Sequence, residues 1–292
     1  MKGIILAGGS GTRLRPLTTG VNKHLLPIFD KPMIYYPLAT LLNAGIREIL
    51  IISRNQDQDA FRMLLGDGSQ YGVKFEYEIQ EKPGGLAEAF IIGNEFVGTE
   101  NCALILGDNI FHGSGLGRQL SENSLETGAK IYAYRVSNPS DYGVVEFGPD
   151  GNAISIEEKP SKPKSNYAIP GLYFFDNAVL NYALSVKPSL RGEKEITDIL
   201  NQYLSKGQLR VEILPRGTAW LDTGSFNSLN DAGNFVRIIE ERQGQKIASL
   251  EEICWRKGWI DNQQLLKLAR EMSNGYQEYL QNLIPESSRR DW

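Results

Sequence analysis

Five short apolar runs punctuate the first half of the chain: "GIILA" (3–7), "EILIIS" (48–53), "VKFEYEI" (73–79), "CALILGD" (102–108) and "KIYAYRV" (130–136). Between them lie segments of helical period, "MIYYPLATLLNAG", "DQDAFRMLLGDG", "GLAEAFIIGNEFVG" and "LGRQLSENSLETG", several stopping at a glycine. The first four runs are apolar nearly throughout rather than alternating. A strand of that kind needs helices on both of its faces, so the pattern predicts an α/β fold with a parallel, doubly wound sheet.

The rhythm changes after Val136. "YGVVEFGPDGNAISIEEKP" is two alternating runs joined through Pro149-Asp150-Gly151, which predicts a hairpin. "AIPGLYFFD" and "RVEILP" add strands, so the later sheet is expected to be mixed. From about Ser249 the chain reads as helical, in "SLEEICWRKGW", "DNQQLLKLAREM" and "YQEYLQNLI", with Ser249 and Glu252 spaced for a capping box. Trp255, Trp259 and Leu265-Leu266 would form an apolar face packed on the main body. There is no internal repeat.

With 292 residues, 41% of them hydrophobic, the chain is long enough for a substantial core. Its net charge of −4 gives no reason to expect a nucleic-acid or anionic-membrane partner. No apolar stretch approaches the roughly 20 residues of a membrane span, and the run before Gly8 is too short for a signal peptide. A cytoplasmic protein is expected. Cys102 and Cys254 belong to no CxxC pair and read as core-filling residues.

The glycine loop "AGGSGTRLRP" follows the first strand directly. It fails as a dinucleotide fingerprint, because Leu14 stands where the last glycine belongs and Asp30 lies between Pro27 and Pro32 rather than at a strand end. A dehydrogenase is therefore disfavoured. It fails as a Walker loop too, since Gly11 is followed by Thr12-Arg13. What remains is a turn in which Gly8, Gly9 and Gly11 let backbone N–H groups approach a polyphosphate, with Arg13 and Lys23 to supply charge.

"LAGGSGTRLRPLT" and "NKHLLPIFDKPMIYYPL", with "GDGSQYG", "LGDNIF", "YGVVEF", "EEKP", "SNYAIPGLYFFD", "RGEKEITDI", "AWLDTGSFNSL" and "EERQG", resemble the sugar-phosphate nucleotidyltransferases over essentially the whole chain. The similarity is to their short, thymidylyl-transferring branch. It implies a Rossmann-like doubly wound mixed sheet of the nucleotide-diphospho-sugar transferase type. Residues 1–240 would form the α/β domain with an inserted sugar-binding hairpin region, and 241–292 a helical segment packed on it at a subunit interface. The implied reaction joins dTTP and α-glucose 1-phosphate into dTDP-glucose and pyrophosphate, with Mg²⁺ and without a covalent intermediate. Such enzymes are homotetramers with a second nucleotide site for end-product inhibition, to which Arg256 is a candidate contributor. UTP in place of dTTP, and a catalytically silent sugar-nucleotide sensor, remain as alternatives.

The resemblance also implies roles for residues. Leu6, Gly8, Gly9, Gly11, Thr12, Arg13 and Lys23 would hold the nucleotide, with Gln80 and Gly85 at the base. Asp108 and Asp222 would share the metal, Asp108 also lying beside the nucleotide, and together with Arg13 and Lys23 they form the catalytic set. Gly143, Glu158, Lys159 and Ile169 would hold the sugar phosphate. Departures are His24, where an imidazole replaces the usual glutamine in a structural role; Pro170, which stiffens the backbone beside Ile169; and "EKPGG" near the base. His112 is assigned no role.

Overall fold

In the computed structural model, which describes residues 1–121 and 125–285, the apolar runs form strands close to their expected limits. The first half contains β1 (Lys2–Leu6), β2 (Pro27–Ile28), β3 (Lys31–Pro32), α1 (Tyr35–Asn43), β4 (Glu48–Ser53), α2 (Gln58–Leu65), β5 (Lys74–Ile79), α3 (Glu88–Ile92), α4 (Asn94–Val97), β6 (Cys102–Leu106), β7 (Asn109–His112) and α5 (Leu116–Ser121). Next come β8 (Ala129–Arg135), β9 (Gly143–Phe147), β10 (Ala153–Glu158), β11 (Tyr167–Ala168), β12 (Leu172–Phe175), α6 (Val179–Ser185), α7 (Ile196–Ser205), β13 (Leu209–Ile213) and β14 (Ala219–Asp222). Four helices follow: α8 (Phe226–Gln243), α9 (Leu250–Arg256), α10 (Asn262–Glu271) and α11 (Asn274–Leu283).

Ten strands make one mixed sheet in the order β10-β9-β11-β8-β12-β6-β1-β4-β5, with β13 also pairing β8. The pairs β1–β4, β1–β6 and β4–β5 are parallel, and β12 runs antiparallel between β6 and β8. β4 and β5 lie on one side of β1 and β6 on the other, so the order reverses at β1. Open sheets of this kind bind ligands in the crevice beyond the carboxyl ends of the strands at such a reversal. Here those ends lead into the glycine loop and Asp108.

Both faces are covered, as the unbroken apolar runs require. Neighbours Ile4 and Ile5 point to opposite faces and are both fully buried. Ile5 joins a core with Leu38 and Leu42 of α1, Phe61 of α2, and Leu250, Leu265 and Leu280 of the C-terminal helices. Ile4 joins another with Phe90 of α3, Val179 of α6 and Leu200 of α7. The C-terminal helices thus complete the core on one face. Leu265 is buried in it, while Trp255, Trp259 and Leu266 pack at its edge.

Several expectations are corrected. β5 is an edge strand and its burial alternates, so "VKFEYEI" is not covered throughout. The single helix expected over "GLAEAFIIGNEFVG" is two, broken at Gly93, where an added Cβ would lie 3.0 Å from the Ala89 carbonyl oxygen and 3.1 Å from Ile4. The helix over "LGRQLSENSLETG" is Leu116–Ser121; residues 122–124 lie outside the described residues, as do 286–292 of the helical tail. Only half of the predicted capping box forms. Ser249 Oγ accepts from the Glu252 N–H at 3.3 Å, but the Glu252 carboxylate turns to Arg256 and Tyr279 instead. A capping box of a different composition does form on α8, between Ser225 and Ser228.

Gly72 marks where the C-terminal segment seats on the sheet domain. Its φ is +68°, and an added Cβ would lie 2.4 Å from the Trp259 carbonyl oxygen. Gly72→Ala should therefore destabilise the protein by about 1–3 kcal/mol in denaturant unfolding. An unchanged midpoint would mean that Trp259 is not seated against this turn.

Candidate active site

The glycine loop is held from both ends. Ala7 continues the β1 pairing by donating to the Ile52 carbonyl at 2.7 Å. The Gly11 backbone is left-handed at φ +61°, with Thr18 so close that an added Cβ would lie 2.9 Å from its methyl. Thr18 Oγ1 donates to the Gly11 carbonyl at 2.7 Å, and Asn22 Nδ2 to the Ala7 carbonyl at 3.1 Å. An added Cβ at Gly9 would meet nothing within 4 Å, so that glycine faces open space. Thr12 and Arg13 follow in a single tight turn with Arg13 exposed.

Asp108 and Asp222 are brought together by a ladder absent from the sequence reading. β7 pairs antiparallel with β14, with Asn109 opposite Asp222, and the Thr223 N–H donates to the Asp108 carbonyl at 3.1 Å. Burial, the largest single influence, would raise the Asp108 carboxyl, but Lys23, ion-paired to its Oδ2, together with His24 and the Asn109 amide lowers it to about 2. Burial and then the negative charge of Asp108 push Asp222 the other way, upward, against the opposing pull of Lys23 and Arg13. Asp222 Oδ1 is buried without a hydrogen-bond partner. An orphaned carboxylate oxygen beside a second carboxylate is a fit for a hard cation with oxygen ligands.

Asn109 ties this pair to the sheet. Its Nδ2 donates to Asp108 Oδ1 at 3.0 Å, while its Oδ1 accepts from the Gly171 N–H at 3.0 Å and the Trp220 indole at 2.6 Å. Gly224 lies against Arg13: an added Cβ would be 2.7 Å from the guanidinium and 3.0 Å from Asp222 Oδ1. The arginine is thus beside the carboxylate pair, and it makes no ion pair among the described residues.

These groups open onto a cavity of ≈ 640 Å³ whose wall includes Arg13, Asp108, Asp222, Gly143, Glu158, Lys159 and Ile169. All four residues expected at the sugar phosphate are therefore brought to one space with the aspartates. Lys159 closes β10 with φ +42°, a conformation that side-chain-bearing residues seldom adopt, and makes no ion pair among the described residues. The Glu158 carboxyl is raised by burial and by Glu195. The Ile169 N–H is already committed to the Gly143 carbonyl at 2.8 Å, which leaves its own carbonyl for a ligand.

The other residues expected at the nucleotide do not line this cavity. Leu6 ends β1 opposite Leu106, which does line it, and Lys23 is ion-paired to Asp108, another residue of the wall. Gln80 follows β5, and its amide lies against Gly8. Gly85 needs its freedom for a reason other than a base: at φ +94° an added Cβ would lie 2.4 Å from the Lys194 carbonyl oxygen.

Sequence reasoning missed Arg191, Glu195 and Thr197. "RGEKEITDI" carries them, but no residue within that motif stood out by type. Arg191 bridges Glu195 at 2.8 Å and Glu158 at 3.4 Å, forming one wall of the cavity. His24 is buried and held neutral, its pKa lowered to about 3 by burial and then by Lys23. Its ring lies 2.6 Å from where a Cβ on Gly107 would be, so it packs under the strand end as expected. His112 sits at the far end of the β7–β14 ladder, opposite Ala219, with its ring against Phe235. Arg256 pairs with Glu252 at 2.7 Å and lines a separate cavity of ≈ 550 Å³ with His112, Arg118 and Ser249.

A crevice at a strand-order reversal, with a glycine loop and paired carboxylates, defines a phosphate-handling α/β enzyme. The nucleotidyl transferase family model matches residues 2–238. Across 285 residues the chain is 59% identical to a glucose-1-phosphate thymidylyltransferase of Mycolicibacterium smegmatis, covering 97% of this chain and 99% of that one. Its counterpart in Neisseria meningitidis is 54% identical over 286 residues, with the same coverage. A Bacillus anthracis structure assigned as a glucose-1-phosphate thymidylyltransferase, crystallised with sucrose, superposes with a TM-score of 0.75 at 41% identity, over 81% of this chain and 95% of that one. A UDP-glucose pyrophosphorylase bound to UDP-glucose shares the fold, with a TM-score of 0.72 at 24% identity over 81% of this chain and 98% of that one. The chain belongs to the nucleotidyl transferase family and, within it, to the glucose-1-phosphate thymidylyltransferases.

The position of Asn109 generates a test. Asn109→Ala would leave the Gly171 and Trp220 donors without their acceptor and Asp108 without a brace. Stability should fall by about 2 kcal/mol or more in denaturant unfolding. A variant as stable as the parent would show that Oδ1 is not their common acceptor.

Proposed function

We propose that the protein transfers dTMP from dTTP to α-D-glucose 1-phosphate, releasing pyrophosphate and making dTDP-glucose for deoxysugars such as dTDP-rhamnose. The observation that carries this is the gathering of Arg13, Asp108, Asp222, Glu158 and Lys159 around one cavity in a chain so close to enzymes of that name. A sugar-phosphate oxygen attacks the α-phosphorus of dTTP, and the bond from that phosphorus to the pyrophosphate oxygen breaks. No side chain is needed as a nucleophile. The obstacle is to align two polyanions, so placed positive charge is what the site must supply.

Gly8, Gly9, Gly11 and Thr12 offer backbone donors to the triphosphate, with Leu6 beneath them. Arg13 and Lys23 neutralise it, and Gln80 and Gly85 border the base. Lys159 holds the sugar phosphate, and Glu158, Gly143 and Ile169 bind the glucose hydroxyls and ring. Enzymes of this family generally use a divalent metal, and Asp108 and Asp222 would hold Mg²⁺, which suits carboxylate oxygens. When bound, the ion offsets phosphate charge and polarises the α-phosphoryl group.

Residues 1–240 form the catalytic domain in this reading, and 241–292 an appendage at the subunit interface of a homotetramer. The cavity beside Arg256 is the candidate site for end-product inhibition. Among the described residues no helix is long and apolar enough to cross a membrane, and the acidic balance offers nothing to nucleic acid. Both facts support action on small substrates in the cytoplasm.

Two measurements test the proposal. Pyrophosphate release across nucleoside triphosphates and hexose 1-phosphates should be fastest with dTTP and glucose 1-phosphate. A clear preference for UTP would overturn the base assignment, and no release with any pair would point to a silent sensor. Asp222→Asn should lower kcat by about 10³ while leaving the unfolding transition nearly unmoved. Near-parental turnover at low Mg²⁺ would remove Asp222 from the metal site.

A further inference from the structure

Gln80 is held at three points. Its N–H donates to the Ser53 carbonyl at 2.8 Å, extending the β4–β5 ladder by one residue. Its Nε2 donates to Glu88 Oε2 at 2.6 Å. Its Oε1 lies against the glycine loop, 2.5 Å from where a Cβ on Gly8 would be, and receives no hydrogen bond among the described residues. The two ends of an amide are chemically opposite, but a carboxylate only accepts, so the end facing Glu88 must be the nitrogen. Glu88 is itself confined. An added Cβ on Gly84 would lie 2.3 Å from Oε2 and 2.7 Å from Oε1, so the turn before α3 closes over the carboxylate.

We infer that Glu88 is a positioning residue that sets base specificity, by fixing the Gln80 amide in the orientation that reads the imide edge of a pyrimidine. This rests on the proposed placement of the base at Gln80. With Glu88 occupying one Nε2 proton, the other proton and Oε1 are presented to the ligand. Thymine and uracil match: the N3–H donates to Oε1 and a flanking carbonyl accepts from Nε2. Cytosine mismatches, because its unprotonated N3 faces Oε1 and its exocyclic amine faces Nε2–H. Without Glu88 the amide is free to turn over and present the complementary pattern. Glu88 touches no substrate; it acts through Gln80.

The test is pyrophosphate release with glucose 1-phosphate and Mg²⁺, comparing dTTP and dCTP. In E88Q the neighbouring group donates or accepts equally well while keeping its size beside Gly84. The ratio of kcat/KM for dTTP over dCTP should fall at least about tenfold, with the KM for dTTP rising more than kcat falls. E88D, shorter but still only an acceptor, should keep that ratio. An equal loss in E88D and E88Q would indicate disturbed packing and overturn the inference. Q80L separates the two levels of the argument. If it erases base discrimination while E88Q does not, the role of Glu88 falls and the base placement stands. If Q80L leaves discrimination intact, the base placement falls and takes the inference with it.

Discussion

Two carboxylates held side by side in a partly buried crevice repel each other, and much of the candidate site is arranged around that repulsion. Asp108 and Asp222 lie far apart in sequence and meet because β14 pairs with β7. The cost is lowered by Lys23 on one side and Arg13 on the other, and an oxygen of Asp222 remains without a partner. An unpartnered carboxylate oxygen beside a second carboxylate is the feature on which the proposed metal site rests. Asn109 joins the carboxylate pair to Gly171 and Trp220, so the same contacts that fix the carboxylates fix the cavity wall.

The parts of this design that depend on local pattern were legible in the sequence. The strands β1, β4 and β6 announced themselves because burial on both faces demands unbroken apolar residues. The hairpin was marked by Pro149-Asp150-Gly151, which meets a turn's backbone requirement whatever surrounds it. Pairings between distant segments left little local trace. "NIFH" and "AWLD" are each four residues long and show no strong alternation, so the β7–β14 ladder could be found only in three dimensions. The same holds for Glu88 and Arg191, whose importance comes from what they face. Glu252 shows the limit of local motifs: it has the spacing for a capping box, but a phenol and a guanidinium nearby compete for its carboxylate.

Resemblance supplied what periodicity could not, and the geometry refines it residue by residue. Gly85 is a glycine because the Lys194 backbone passes beside it, a packing reason that holds with or without a nucleotide. The Ile169 N–H is spent on Gly143, so any hydrogen bond from Ile169 to a sugar must involve its carbonyl. The left-handed backbone of Lys159 ends the hairpin strand and directs a charged side chain into the cavity. A residue type at a motif position thus constrains the fold first and the ligand second.

The cations around the crevice fall into two groups with different physical consequences. Lys23 and Arg191 are already paired, with Asp108 and with Glu195. Ion pairing fixes their positions before a substrate arrives, so less ordering remains to be done on binding. Arg13 and Lys159 have no such partner among the described residues, which in the proposed reading leaves their charge for phosphate. In a chain with a net charge of −4, attraction of polyanions cannot come from the molecule as a whole. In the proposed reading it comes from these few groups, unpaired cations giving attraction and paired ones alignment. Base selection is a separate matter: burying one methyl separates thymine from uracil by only about 0.8 kcal/mol, whereas under the proposed placement of the base at Gln80, excluding cytosine depends on which end of the amide meets it. The first is a question of fit, the second of hydrogen-bond polarity, and only the second can be governed by a carboxylate that never touches the nucleotide.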